Sequence, residues 1–206
     1  MMKLRWSPTS PFVRKVVVFM KEKGIEDQIE KEKSNPLSRE DRAATPSPLG
    51  KIPCLVTADG QPVFDSPVIM EYLDTVCEGP EMLPKSGDAR WMVLRRQATA
   101  DGMIDSMVTC FVESLKKPER QSGGILSHNK AIVFKAITAL RQEAASFGDT
   151  VDIGTISVAV ALSFADQTFP DEDWRAENGA LAAWFDAFDQ RPSMTESILI
   201  DARSFE

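Results

Sequence analysis

The sequence predicts an α/β segment, in which a mixed sheet carries helices, followed by an all-helical segment. Three observations lead there. Over residues 1–79, short apolar runs of strand length alternate with sharply punctuated helical stretches. Two of those runs flank an Asp59-Gly60 pair, a hairpin signal. Beyond a stretch holding Pro80, Pro84, Ser86 and Gly87, the apolar patterns have helical period and no strand pattern is convincing. The expected division is therefore 1–79, a linker at 80–87, and a helical domain at 88–206.

Leu4-Arg5-Trp6 reads as a short strand. Ser10 then precedes Pro11, and residues 11–23 read as a helix that stops at Gly24. A serine hydroxyl caps an orphan N–H, and proline at the first helical position has no N–H to orphan. Glycine is the matching stop. Residues 26–32 are expected to form a second strand, and "SREDRAAT" (38–45) one or two helical turns. "IPCLVTADGQPVFD" (52–65) reads strand, turn, strand, with Pro53 and Pro62 at irregular or edge positions. "SPVIMEYLDTVC" opens a helix at Ser66-Pro67. A strand–helix–strand unit followed by a hairpin and a helix implies a mixed sheet.

The second half reads as long helices over 89–116 and 129–147. Residues 154–169 are nearly all apolar, which predicts a buried central helix with Thr155 as its N-cap. A further helix over 178–191 is expected to stop at Pro192.

Composition narrows the function. The 206 residues are 43% hydrophobic and 27% charged, ordinary for a globular chain. A net charge of −7 argues against nucleic acid or an anionic membrane as partner. No run approaches the roughly 18 apolar residues of a membrane span. No secretory segment opens the chain, and the three cysteines, Cys54, Cys77 and Cys110, have neither disulfide density nor metal spacing. The expected location is cytoplasmic, and no metal is expected. The single histidine, His128, sits in a polar segment and leaves no material for most triads.

The chemistry points to the two Ser-Pro joints. Ser10-Pro11 and Ser66-Pro67 each place a serine where a strand hands over to a helix. Helix N-termini carry free N–H groups and partial positive charge, and so favour anions. Each serine is either an ordinary N-cap or part of an anion-holding site. Ile52-Pro53 adds a third feature: a cis bond there would turn the Ile52 backbone outward, open to an extended peptide.

"SPFVRK" leading to Gly24, "PLGKIPCLV", "FDSPVIMEYL" and "AAWFDAFDQRPS" together resemble the cytosolic glutathione transferase superfamily, over nearly the whole chain. The likeness is greatest to small bacterial serine-type members and, in the opening motif, to the tau and zeta classes. It implies a thioredoxin-like first domain, an all-α second domain and a two-fold homodimer. It also implies glutathione as co-substrate, with no permanently bound cofactor. Counting back fourteen positions from Gly24 places the activating serine at Ser10, with Ser7 and Thr9 as rivals. Omega-type members carry cysteine there, so this chain lacks their thiol-transfer residue. Lys51, Ile52, Pro53, Asp65 and Ser66 match the positions that hold glutathione. Phe12, Met103, Met107 and Phe111 are the candidates for an electrophile pocket between the domains. The family's buried-helix capping box reads here as Thr155-Ile156-Ser157-Val158, with its aspartate missing. Two functions fit: conjugation of glutathione to small hydrophobic electrophiles, or a non-catalytic glutathione-binding or protein-interaction module of the stress type.

Overall fold

β1 (Met2–Trp6) and β2 (Ile29–Lys33) run parallel, with Met2 opposite Ile29 and Trp6 opposite Lys33. A parallel pair needs a crossover, and α1 (Pro11–Lys23) supplies it. The computed structural model describes residues 1–204; Phe205 and Glu206 lie outside the described residues. β3 (Cys54–Val56) pairs antiparallel with β1, Cys54 opposite Arg5. β4 (Pro62–Val63) pairs antiparallel with β3, Val63 opposite Leu55. The sheet order is β2-β1-β3-β4. This is the mixed thioredoxin-like sheet the resemblance implied. The strand expected at 26–32 begins only at Ile29, because Glu26–Gln28 form a 3-10 turn first.

The helix limits follow from punctuation. Ser10 Oγ accepts the Val13 N–H at 3.3 Å, and Pro11 opens α1. Gly24 ends it with φ 74, a left-handed value that costs a residue with a Cβ about 1–2 kcal/mol. Between them, Val13, Val16, Val17, Val18, Phe19 and Met20 are buried. Leu4, Leu55, Ile69, Met70 and Leu73 are likewise buried in this part of the chain. Each such side chain contributes about 1.5–3 kcal/mol on burial. α2 (Arg39–Ala44) is capped by Ser38, and α3 (Ser66–Val76) follows the hairpin.

The chain divides into two compact units, Met1–Arg90 together with the segment from Pro192, and Trp91–Arg191. The sequence placed that last segment with the helical domain. Instead Pro192 opens a short helix, α8 (Pro192–Thr195), and its neighbours in space are residues of α1, nearly the whole chain away in sequence. Proline is as well suited to start a helix as to stop one.

The second unit holds most of α4 (Gly87–Ser114), then α5 (Gly123–Glu143), α6 (Ile153–Thr168) and α7 (Gly179–Asp189). α5 starts six residues earlier than expected, at Gly123, because Ser122 accepts the Ile125 N–H at 3.3 Å. α6 is buried along most of its length, as its sequence predicts. Its cap is different. Asp152 is the N-cap and accepts the Thr155 N–H at 2.7 Å, while Thr155 Oγ1 accepts the Asp152 N–H at 2.9 Å. The box expected to run from Thr155 to Val158 does not form; its aspartate is Asp152, upstream of Thr155. A Cβ on Gly154 would stand 2.8 Å from the Val93 carbonyl, so α6 meets α4 too closely for any larger residue.

In the first unit, Lys23 and Asp74 form a buried ion pair at 2.8 Å, their side chains 1% and 7% exposed. Lys23 also donates to the Pro80 carbonyl at 2.9 Å, and Asp74 accepts the Met82 and Leu83 N–H groups at 3.1 and 3.0 Å. One charged pair thus ties the ends of α1 and α3 to the chain that leaves them. Removing one partner strands the other in the interior. Asp74→Ala is expected to lower stability by about 3–5 kcal/mol in urea unfolding; a loss under about 1 kcal/mol would contradict this account.

Candidate functional site

Strand directions collect the predicted site. β4 is antiparallel to β3 and β3 to β1, so β4 runs parallel to β1. α1 and α3 follow these two parallel strands and therefore start on the same edge of the sheet. β3 runs the other way and enters the sheet at that edge, just after Pro53. Ser10, the Ile52–Pro53 joint and the Asp65–Ser66 joint are thereby brought together. β3 lies between β1 and β4, so the Ile52 joint stands between the two strands that lead to the helix starts.

At the first joint, Ser10 caps α1 through its oxygen, and among the described residues no acceptor meets its O–H. Ser10 is 9% exposed. Ser7 is more deeply buried and its hydroxyl is shared with Thr9, at 2.9 Å between the two oxygens. The Thr9 N–H also donates to Ser7 Oγ, at 3.3 Å. One hydrogen of the Ser7–Thr9 pair is spent on their mutual bond, whereas the Ser10 hydrogen meets no acceptor among the described residues.

At the second joint, the Ile52–Pro53 bond is cis. Among the described residues the Ile52 backbone makes no hydrogen bond within the chain. Pro53 is buried, and Lys51 beside it is exposed.

At the third joint, the N-cap is Asp65 and Ser66 is the first residue inside α3, a shift of one position from the expected serine cap. The Asp65 carboxylate makes no capping bond and is exposed, while its carbonyl accepts the Ile69 N–H at 2.9 Å. The Phe64–Asp65 peptide is also cis. Pro67 carries no N–H, so Ser66 and Val68 supply the open donors of this turn. Ser66 is wholly buried and its Oγ has no hydrogen-bond partner. Arg5 Nε and Asn178 Oδ1 are also unmet, but those side chains bond through another atom. Gln97 Nε2 is unmet in the other unit. Ser66 has a single polar atom and it stands at the sheet edge. No sequence signal could show that this hydroxyl would be left unpaired.

Of the four residues expected to line an electrophile pocket, Phe12 and Phe111 are partly exposed. Met103 and Met107 have no exposed surface and count among the core residues. The three cysteines are unpaired, and burial pushes each thiol above its ordinary value. Among the described residues no group of three or more His, Cys, Asp or Glu side chains is placed to hold a metal ion. No described helix is long and apolar enough to cross a membrane.

Comparison with known proteins gives a consistent result. The model for the glutathione S-transferase N-terminal domain matches residues 9–76, and that for the C-terminal domain matches residues 124–187. The chain is 34% identical over 166 residues to the uncharacterized GST-like protein YibF of Escherichia coli (strain K12), covering 79% of this chain and 81% of that one. Among solved structures, a glutathione transferase family member from Pseudomonas fluorescens Pf-5 with bound glutathione superposes with a TM-score of 0.91. It is 36% identical, over 97% of this chain and 100% of that one. A structure of a Pf-5 family member with bound S-(propanoic acid)-glutathione gives a TM-score of 0.88 at the same identity and coverage. Matched by both domain models and by a relative along most of its length, the chain belongs to the glutathione S-transferase superfamily.

Proposed function

We propose that the protein is a glutathione transferase that adds the glutathione thiolate to small hydrophobic electrophiles. The observation that carries this reading is the buried, unpartnered Ser66 hydroxyl at the start of α3. A buried hydroxyl without a partner costs about 1–3 kcal/mol, and a bound group that accepts from it recovers that cost. The relatives crystallised with glutathione and its propanoic acid conjugate support the same ligand here.

The order of the joints suits an extended peptide, with the open Ile52 backbone on the strand between those that lead to α1 and α3. In this arrangement the Ser66 hydroxyl and the open N–H groups of α3 hold the γ-glutamyl carboxylate. Asp65 pairs with the glutamyl ammonium. The Ile52 N–H and C=O bond the cysteinyl unit as a strand neighbour would, and Lys51 faces the glycyl carboxylate. The sulfur then lies at the α1 end.

The serine assignment rests on position, since Ser10 is the N-cap of α1. A free thiol has a pKa near 8.5, so little of it is nucleophilic at neutral pH. One O–H donated to the sulfur, with a helix N-terminus behind it, stabilises the thiolate. Ser10 can give its hydrogen while its oxygen stays on the Val13 N–H. In the reaction the C–S bond forms, the leaving group departs with its electron pair, and the thiol proton goes to solvent. The electrophile remains small and hydrophobic in this reading, with Phe12 and Phe111 the candidates that keep exposed surface. A two-fold homodimer and a cytoplasmic location complete the proposal.

Ser66→Ala separates binding from folding. Calorimetry should show glutathione bound about 1.5–3 kcal/mol more weakly, the worth of a hydrogen bond to a charged group. Stability should be unchanged or higher, since the hydroxyl has no partner to lose. Unaltered affinity would refute the site. Ser10→Ala should cut turnover of chlorodinitrobenzene at least about tenfold, or roughly 1.4 kcal/mol, with loss of thiolate absorbance at neutral pH. Ser7→Ala should change both far less; the opposite ranking moves the role to Ser7. Glutathione binding without turnover in the parent protein would favour the non-catalytic module. Light scattering at micromolar concentration should give twice the chain mass, and a monomer would refute the dimer.

A further inference from the structure

We propose that the C-terminal segment from α8 onward is a strap that holds the Ser7–Ser10 loop in its thiolate-stabilising shape, with Ile200 and Arg14 as positioning residues. The inference rests on the role given to Ser10 above. The Ile200 N–H donates to the Pro8 carbonyl at 3.1 Å. The Pro8 C=O and the Thr9 N–H belong to one planar peptide unit, so this bond helps to fix that plane. That plane also aims the Thr9 N–H, which donates to Ser7 Oγ, and the Ser10 N–H returns to the Ser7 carbonyl at 3.4 Å.

The strap has a second anchor one turn beyond Ser10. Arg14, 4% exposed, donates through Nη2 to the Met194 carbonyl at 3.1 Å and through Nε to Ser197 Oγ at 3.4 Å. The Arg14 N–H meanwhile donates to the Ser10 carbonyl at 2.9 Å. Lys21 pairs with Glu196 at 2.8 Å, and Ser193 Oγ bonds the Glu22 carboxylate. Ser10 is thus bracketed: the segment grips α1 below it and the loop above it. Packing on this side is incomplete. A cavity of about 280 Å³ lies among Trp6, Ser7, Pro8, Arg14, Ser197 and Leu199.

Ile200 is 45% exposed, so its side chain is replaceable and its N–H can be tested alone. Ile200→Pro removes the donor; Ile200→Ala keeps it. In the unliganded protein, hydrogen exchange at the Thr9 and Ser10 amides should quicken at least about tenfold in Ile200→Pro and stay at the parent rate in Ile200→Ala. With glutathione bound, the thiol of Ile200→Pro should titrate at higher pH and kcat should fall at least about threefold. KM for glutathione should hold within about twofold, because the γ-glutamyl end is bound elsewhere. A chain ending at Leu199 should behave as Ile200→Pro does and serves if that variant folds poorly. Parent-rate exchange in Ile200→Pro, or equal effects in Ile200→Ala, overturns the strap. Faster exchange with an unmoved thiol titration also overturns it, provided Ser10→Ala does move that titration. An unmoved titration in Ser10→Ala refutes the serine mechanism instead, and the exchange rates then decide the strap alone.

Discussion

Strand direction is the constraint on which the site depends. Two antiparallel steps separate β1 from β4, so both point the same way and both release their helices at one edge. Had β4 paired parallel to β3, Ser66 would lie at the far edge, out of reach of Ser10. The Lys23–Asp74 pair reinforces the arrangement from the opposite end. Lys23 closes α1 and Asp74 sits in the last turns of α3, so the pair clamps the two helices where no ligand is wanted. Their N-termini are left with open donors at the other end.

Polar saturation differs between the two ends in a way that separates stability from function. Asp74 is met by an ammonium and two amides, and Asp152 and Thr155 satisfy each other. Such groups have nothing left to offer a ligand. Ser66 Oγ, the Ile52 backbone and the Asp65 carboxylate are the reverse, unmet among the described residues. A folded chain leaves few buried polar atoms unpaired. Ser66 Oγ is one of those few, and it starts a helix beside the open Ile52 joint.

Much of this was legible in the sequence wherever a residue acts on its near neighbours. Ser10-Pro11 and Gly24 fixed both ends of α1, and Asp59-Gly60 fixed the hairpin, because caps and turns are settled within a few residues. The errors have local causes too. Gly123 and Gly124 are poor helix formers, which hid the start of α5 behind the Ser122 cap. The Asp152–Thr155 box runs with the acid first, the reverse of the hydroxyl-first order the family pattern implies. What the sequence could not show was long-range. Nothing near Arg14 announces that Met194 and Ser197 will meet it, and nothing in Ser66-Pro67 says that the hydroxyl will be sealed in without a partner.

The state of the protein's own thiols carries a further consequence. Burial raises Cys54, Cys77 and Cys110, so at neutral pH each stays in the poorly nucleophilic S–H form. A protein that gathers reactive electrophiles runs the hazard of being alkylated by them. In the proposed reaction the resident sulfurs are slow targets, while the thiolate belongs to a diffusible peptide that leaves with the adduct. Under that proposal the protein is spared because its nucleophile is borrowed and discarded on every turnover.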